Sequence, residues 1–202
     1  MRKLIFLSVG TALAFAVVAS AGQAAPKAYW DPVKRKYVEY EDGRLVGYTQ
    51  RGRIKRQDIA YDGPYGPNTI VVNTTERRLY YVYEKGRALK YGIGVGRAGF
   101  EWSGTHRITR KAEWPGWTPP PEMIARERAR GRILPAYMKG GLRNPLGARA
   151  LYIGSTLYRI HGTSEPWTIG RAVSSGCIRL TNDDIIHLYD RVKVGAKVVV
   201  LR

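Results

Sequence analysis

The runs Thr69-Ile70-Val71-Val72, Leu79-Tyr80-Tyr81-Val82-Tyr83 and Ala88-Leu89-Lys90-Tyr91-Gly92-Ile93-Gly94-Val95 decide the architecture. They are β-branched and aromatic, and short polar turns separate them, the second being Glu84-Lys85-Gly86. That composition and spacing describe strands of a β-meander rather than helices. Further strands are expected at Arg107-Ile108-Thr109-Arg110, at Ala150-Leu151-Tyr152-Ile153 and at Leu157-Tyr158-Arg159-Ile160-His161, the last two joined by Gly154-Ser155-Thr156. Cys177-Ile178-Arg179-Leu180 and Lys197 to Leu201 complete the set. One helix is expected after Thr181 or Asn182 as cap: Asp183 and Asp184 suit its first turn, and Ile185, Ile186, Leu188 and Tyr189 make its apolar face. The fold class is therefore mainly β with minor α.

Between the early and late strands, residues 114–147 carry Pro115, Pro119, Pro120, Pro121, Pro135 and Pro145. Glu122 to Arg130 is the one helical stretch expected there. Loops of this length in a compact unit usually serve as lids or binding segments. Trp114, Trp117, Tyr137 and Met138 are candidates to line a groove or to pack the loop against itself.

Upstream of the meander, residues 25–67 mix tyrosines with charge (Lys34-Arg35-Lys36, Lys55-Arg56) and end in the turn cluster Asp62-Gly63-Pro64-Tyr65-Gly66-Pro67. Poor hydrophobic periodicity there predicts a loosely structured arm or linker. Residues 1–24 open with Arg2 and Lys3, continue apolar from Leu4 to Val18 and end in small residues. That order is a secretory signal peptide's, and the apolar run is shorter than the roughly 20 residues a membrane span needs. An exported protein with no membrane span after cleavage is expected, in a bacterial periplasm or cell wall.

The chain has 202 residues, a charge of +18, one Cys and three His. A single Cys excludes an internal disulfide and a Cys-rich zinc module, so no metal or cofactor is predicted. Outside the cytoplasm, interspersed basic residues fit wall carboxylates or headgroups better than nucleic acid, and fit a merely solvated basic surface at least as well. Gly94-Val95-Gly96-Arg97-Ala98-Gly99 matches a dinucleotide-type glycine pattern, but Phe100-Glu101-Trp102-Ser103 is a poor helix start and the surrounding strands read as antiparallel. The glycines are expected to mark a bulge or a close backbone approach.

The chemistry concentrates in His161-Gly162-Thr163 and Ser174-Ser175-Gly176-Cys177-Ile178-Arg179-Leu180. Strand alternation puts Arg159 and His161 on one face, and Cys177 and Arg179 on one face, with Ile178 and Leu180 opposite. If the strands pair, the sole thiol meets an imidazole. A free thiol has a pKa of about 8.5 and is mostly protonated at neutral pH, so an adjacent base activates it and a guanidinium favours its anion. The candidate roles are Cys177 as nucleophile, His161 as general base and acid, and Gly162 as the carbonyl that orients the ring. Gly176 would allow the sharp turn that leaves nearby backbone N–H groups free for an oxyanion, and Arg179 would handle substrate or thiolate charge. His106, placed in a turn, and His187, on the exposed side of the last helix, receive no role.

These residues resemble the L,D-transpeptidase catalytic domain family, whose signature is His-Gly followed about fifteen residues later by Ser-His-Gly-Cys and Ile/Val-Arg-Leu/Met. The resemblance covers residues 68–202 and includes Asn144-Pro145-Leu146-Gly147. Ser175 departs from it, since many members carry His there. The resemblance implies a β-sandwich of mixed sheets with short helices, and a peptidoglycan stem tetrapeptide as substrate. It also implies a Cys177 thioester resolved by an acceptor amine, from a second stem or a lipoprotein lysine, or by water. The alternatives are a carboxypeptidase or amidase of the same family, and a non-catalytic basic wall-binding module. Sortases place His much farther upstream of Cys, and papain-like hydrolases place Cys before His.

Overall fold

The computed structural model describes residues 28–31, 36–41, 44–46 and 54–202. The signal-peptide expectation for residues 1–24 lies outside the described residues. Strands β1 (Ala28–Asp31), β2 (Lys36–Glu41) and β3 (Arg44–Val46) form a small antiparallel sheet. β4 (Gln57–Ala60) is an edge strand of the main sheet. The arm expected to be loose thus contains strands. Gln57-Asp58-Ile59-Ala60 offers one large apolar side chain, too little for a period-2 signal. An edge strand needs no more: it pairs only with the strand beside it, and Ile59 packs with Tyr61, Tyr65 and Tyr80 against Val71, Val82 and Ala88.

The meander follows as β5 (Thr69–Asn73), β6 (Arg78–Glu84) and β7 (Arg87–Gly92), antiparallel in sequence order. Then come β8 (Val95–Gly96) and β9 (Gly104–Glu113), the helix α1 (Pro121–Arg128), β10 (Arg149–Ile153) and β11 (Arg159–His161). After a single 3-10 turn at Pro166–Thr168 come β12 (Ala172–Ser174), β13 (Ile178–Arg179), α2 (Asn182–Tyr189) and β14 (Lys197–Leu201). The nine-stranded sheet has the order β13-β11-β10-β9-β14-β5-β6-β7-β4. It is mixed, because β14 runs parallel to β5 and β11 parallel to β13.

The ten-residue β9 makes the sheet a sandwich. Its first residues, Gly104 to Arg107, pair with β14, and Ile108 to Glu113 pair with β10. The two wings so joined share one core: Ile70, Leu79 and Val198 meet Leu151, Ile160 and Ile178, with Ile185 and Leu188 of α2 beside them. Thr181 caps α2, accepting from Asp184 N, and the predicted acidic first turn follows.

Three local expectations change. The glycine run does not lie between antiparallel strands: β8 pairs parallel with β12. Gly94 exchanges backbone hydrogen bonds with Arg179, and a Cβ on Gly96 would come within 2.4 Å of Phe100 O, so these glycines permit close backbone approach as expected. His106 sits in β9 with its ring edge on Trp102, rather than in a turn. His187 is not on an open helix face; its Nδ1 meets Tyr91 Oη at 2.9 Å.

Candidate active site

The parallel pair β11/β13 sets the site. Its register places Ile160 beside Ile178 and His161 beside Arg179. Ile160 and Ile178 point into the core, so alternation turns Arg159, His161, Cys177 and Arg179 to the other face. Extending the register puts Cys177 level with Arg159 rather than with His161. All four line one cavity of about 700 Å³, together with Leu157, Tyr158 and Ser175.

His161 is buried, only 3% exposed, and its Nδ1 lies 2.6 Å from the Gly162 carbonyl oxygen. A carbonyl can only accept, so Nδ1 carries the hydrogen and Nε2 keeps a lone pair. Burial pushes the ring's pKa down to about 3, with Arg179 adding to the effect and the Gly162 carbonyl opposing it. The imidazole is therefore a neutral base across the physiological range. Backbone geometry fixes it: Asn182 Oδ1 accepts from Ala148 N at 3.0 Å and from Thr163 N at 3.2 Å, pinning the residues around Gly162 to α2. A Cβ on Gly162 would come within 2.3 Å of that same oxygen, so only glycine fits.

Cys177 is half-buried, and its Sγ donates to Leu157 O at 3.8 Å. Burial pushes the thiol's pKa up, while the Arg159 and Arg179 guanidiniums pull it down. The resting pair is thus thiol and neutral imidazole. The turn before it is braced from three sides. Ser174 Oγ donates to Cys177 O at 2.6 Å, Trp102 Nε1 donates to Gly176 O at 2.7 Å, and Gly176 adopts φ +101°. A Cβ there would meet the Tyr158 ring at 2.4 Å, and Trp102 stacks flat on that ring with centroids 4.4 Å apart. The Gly176 N–H is engaged within the turn, donating to Ser174 Oγ at 3.2 Å. Arg179 lines the cavity with its Nη1 on Glu165 Oε2 at 3.2 Å, and its backbone is tied to Gly94.

The Pro-rich segment supplies a further part of the cavity lining. Trp117, Pro120, Met123, Arg126 and Arg143 line the cavity, whereas Trp114, Tyr137 and Met138 do not, so Trp117 alone of the four aromatic and Met candidates reaches it. Buried Asn144 staples the segment: its Nδ2 reaches the carbonyls of Pro115, Met138 and Lys139, each at 3.1 Å, and its Oδ1 accepts from Leu146 N.

The family model described as the L,D-transpeptidase catalytic domain matches residues 67–200. The chain belongs to the L,D-transpeptidase catalytic domain family. It is 46% identical over 137 residues to "Probable L,D-transpeptidase ErfK/SrfK" of Escherichia coli K12, covering 65% of this chain and 43% of that one. It is 46% identical over 135 residues to "Probable L,D-transpeptidase YbiS" of the same organism, covering 64% and 43%. The chain thus spans less than half the length of these relatives. A crystal structure from Brucella melitensis, described as a "Probable carnitine operon oxidoreductase caia", is 47% identical, covers 73% of this chain and 94% of that one, and superposes with a TM-score of 0.49.

Within this L,D-transpeptidase domain, sequence reasoning missed three groups. Strand alternation puts Arg159 on the His161 face without assigning it a role, although it flanks the thiol. The sequence offers Asn182 only as a possible helix cap, while its amide oxygen holds the His161-Gly162 segment. Trp102 gave no signal, because its contact to Gly176 spans 74 residues of chain. Ser175, the departure from the family pattern, lies on the cavity wall with Arg97 Nη1 at 3.4 Å and Arg126 Nη2 at 3.3 Å from its Oγ.

Proposed function

We propose that this chain is an exported cysteine L,D-transpeptidase acting on peptidoglycan stem tetrapeptides. The observation that carries the reading is the one cavity wall on which a thiol and a neutral, backbone-oriented imidazole stand together between two guanidiniums. In the reaction, the Cys177 Sγ–H proton passes to His161 Nε2 as Sγ bonds to the carbonyl carbon of the third stem residue. The C–N bond to the terminal D-alanine breaks, its nitrogen takes the proton from His161, and a thioester remains. An acceptor amine then attacks the thioester, His161 takes its proton, and Sγ leaves and is reprotonated as a new amide forms. With Gly176 N–H engaged, the Cys177 N–H is the backbone group of this turn assigned to the oxyanion. Arg159 and Arg179 stabilise the thiolate as it forms. Because the thiol is raised and the imidazole lowered, no standing ion pair precedes substrate; the proton moves during attack.

Export rests on the charged, apolar and small-residue order of residues 1–24. No helix among the described residues is long and apolar enough to cross a membrane. The acceptor is a second stem, a lipoprotein amine or water. Incubating the protein with tetrapeptide muropeptides and an amine acceptor should release D-alanine and give a cross-linked mass; release without cross-linking assigns a carboxypeptidase instead. Cys177→Ala should lose every acyl adduct on intact-mass analysis, including that of a carbapenem, without unfolding. An adduct that survives this substitution overturns the assignment of the nucleophile.

A further inference from the structure

Arg97 follows β8, Arg126 lies on α1 in the Pro-rich segment, and Ser175 belongs to the nucleophile turn. These three distant pieces of chain converge. Arg97 Nη1 and Arg126 Nη2 lie 3.4 and 3.3 Å from the one hydroxyl oxygen of Ser175, two residues before Cys177. Both guanidiniums also cover the same ring, Phe100, at 4.2 and 5.6 Å from its centroid. Phe100, Arg126 and Ser175 line the cavity that holds Cys177 and His161.

Two like charges brought onto a neutral hydroxyl repel each other, and a hydroxyl offers too little negative charge to balance them. The nearest compensation is Glu127, whose Oε1 lies 3.5 Å from Arg126 Nε. That carboxylate is shared with Arg130 and Arg132. Arg97 Nη2 is buried with no hydrogen-bond partner. Burial and the neighbouring Arg126 charge both hold the Arg97 pKa below the ordinary guanidinium value, a sign of uncompensated crowding. Arg126 presents a planar fork of N–H donors on the cavity wall, with the Arg97 fork on the same hydroxyl, and such a fork matches a carboxylate, which accepts bidentately.

We propose that Arg97 and Arg126, gathered by Ser175, form a carboxylate-binding subsite beside Cys177 that seats a carboxylate of the donor substrate during attack on the thioester-forming carbonyl. Assigning that carboxylate to a stem peptide rests on the L,D-transpeptidase reading; anion recognition beside the thiol does not. Ser175 then has a purpose that a bulkier imidazole would not serve. It is small enough to let both guanidiniums approach one point, and it holds them there until the carboxylate arrives.

The first test needs no substrate. Cys177 is alkylated with iodoacetate, which carries a carboxylate, and with iodoacetamide, which is its neutral isostere. The ratio of the two rates cancels changes in thiol reactivity. Arg126→Gln and Arg97→Gln should each lower the iodoacetate-to-iodoacetamide ratio about tenfold, and Arg126→Lys should retain part of it. A ratio unchanged in both Gln variants, with iodoacetamide still reacting at Cys177, overturns the subsite. If one Gln variant misfolds, seen as iodoacetamide labelling at the rate of the unfolded chain, the other decides. The second test identifies the carboxylate: tetrapeptide donors carrying a carboxamide at the D-alanine terminus, or at the glutamate carboxylate, are compared with the parent peptide. Amidation at the seated carboxylate should lower kcat/KM about tenfold in the natural protein and hardly at all in Arg126→Gln. If the natural protein uses no donor, the stem-peptide reading fails while the alkylation ratio still decides the subsite.

Discussion

The two wings of the sandwich are built on opposite terms. In the wing of β14, β5, β6 and β7, the core holds Ile70, Val72, Leu79, Val198 and Val200, all apolar and all buried, beside Tyr81 and Tyr91. Tyr81 and Tyr91 add hydroxyls that reach Arg191 O and His187 Nδ1, but most of the burial there is apolar area. In the wing of β10, β11 and β13, one face is equally apolar, with Leu151, Ile160 and Ile178. The other face carries Arg159, His161, Cys177 and Arg179, and the last two strands have only three and two residues. So short a pair cannot hold the geometry of these side chains by its own ladder. Polar braces replace it: Asn182 beside the His161-Gly162 segment, Ser174 and Trp102 on the Cys177 turn, and Gly94 against Arg179. Stability is thus spread over the sheet, while chemistry depends on a few specific contacts.

That contrast is broken most directly by Gly176→Ala, set against a core truncation. The alanine methyl would meet the Tyr158 ring at 2.4 Å, in a backbone with φ +101°. The strain costs about 1–3 kcal/mol, and displacing the thiol by even about 1 Å should cut carbapenem acylation on the order of 100-fold. Leu79→Ala, fully buried in β6 of the other wing, should instead cost about 2–5 kcal/mol in urea unfolding while the folded fraction acylates at nearly the natural rate. Equal activity losses in the two variants would mean that the braces do not separate the wings.

How much of this was legible in the sequence follows the same line. The meander, the last strand and α2 were visible, because burial of an apolar face leaves a periodic trace in Ile70 to Val72, Leu79 to Tyr83 and Val198 to Val200. The His161 and Cys177 segments were visible as a candidate site because few residue types combine to activate a thiol. The braces were not. Trp102, Asn182, Arg97 and Arg126 reach the site from loops or from helices, and nothing periodic marks a residue whose partner lies tens of positions away. β4 escaped for a different reason: an edge strand covered by tyrosines needs only Ile59. The missed parallel pairing of β8 with β12 involves strands of two and three residues, too short to show a pattern.

A pH titration sharpens the comparison at smaller amplitude. Unfolded, a histidine protonates near pH 6.5; folded, His161 resists protonation down to about pH 3 because it is buried and faces Arg179. Between those values the unfolded chain binds the additional proton. The contribution is therefore fully present above pH 6.5 and is lost progressively as pH falls toward 3, with a slope of at most about 1.4 kcal/mol per pH unit. His187, lowered to about 4 chiefly by burial, adds in the same direction but more weakly, being partly exposed. Urea unfolding of the natural protein and of His161→Asn between pH 6.5 and 5, above most carboxylate titration, should show the variant losing much of the slope. An unchanged slope would mean that His161 is protonated in the folded protein.

The smallest effect tests one brace alone. Trp102→Phe keeps an aromatic ring available to stack on Tyr158 and removes the 2.7 Å hydrogen bond to Gly176 O. A single such bond is worth about 1 kcal/mol net, so the urea midpoint should move only slightly. The carbonyl it releases, however, belongs to the peptide unit whose nitrogen is that of Cys177, the N–H assigned to the oxyanion. Loosening that unit tilts donor and thiol together, and a hydrogen bond to developing charge is stronger than one to a neutral carbonyl. Acylation by a carbapenem should therefore fall about tenfold, more than the stability change alone implies, while iodoacetamide alkylation, which builds no oxyanion, should be nearly unaffected. A parallel loss in both reactions would place the role of Trp102 in positioning the sulfur rather than the backbone donor.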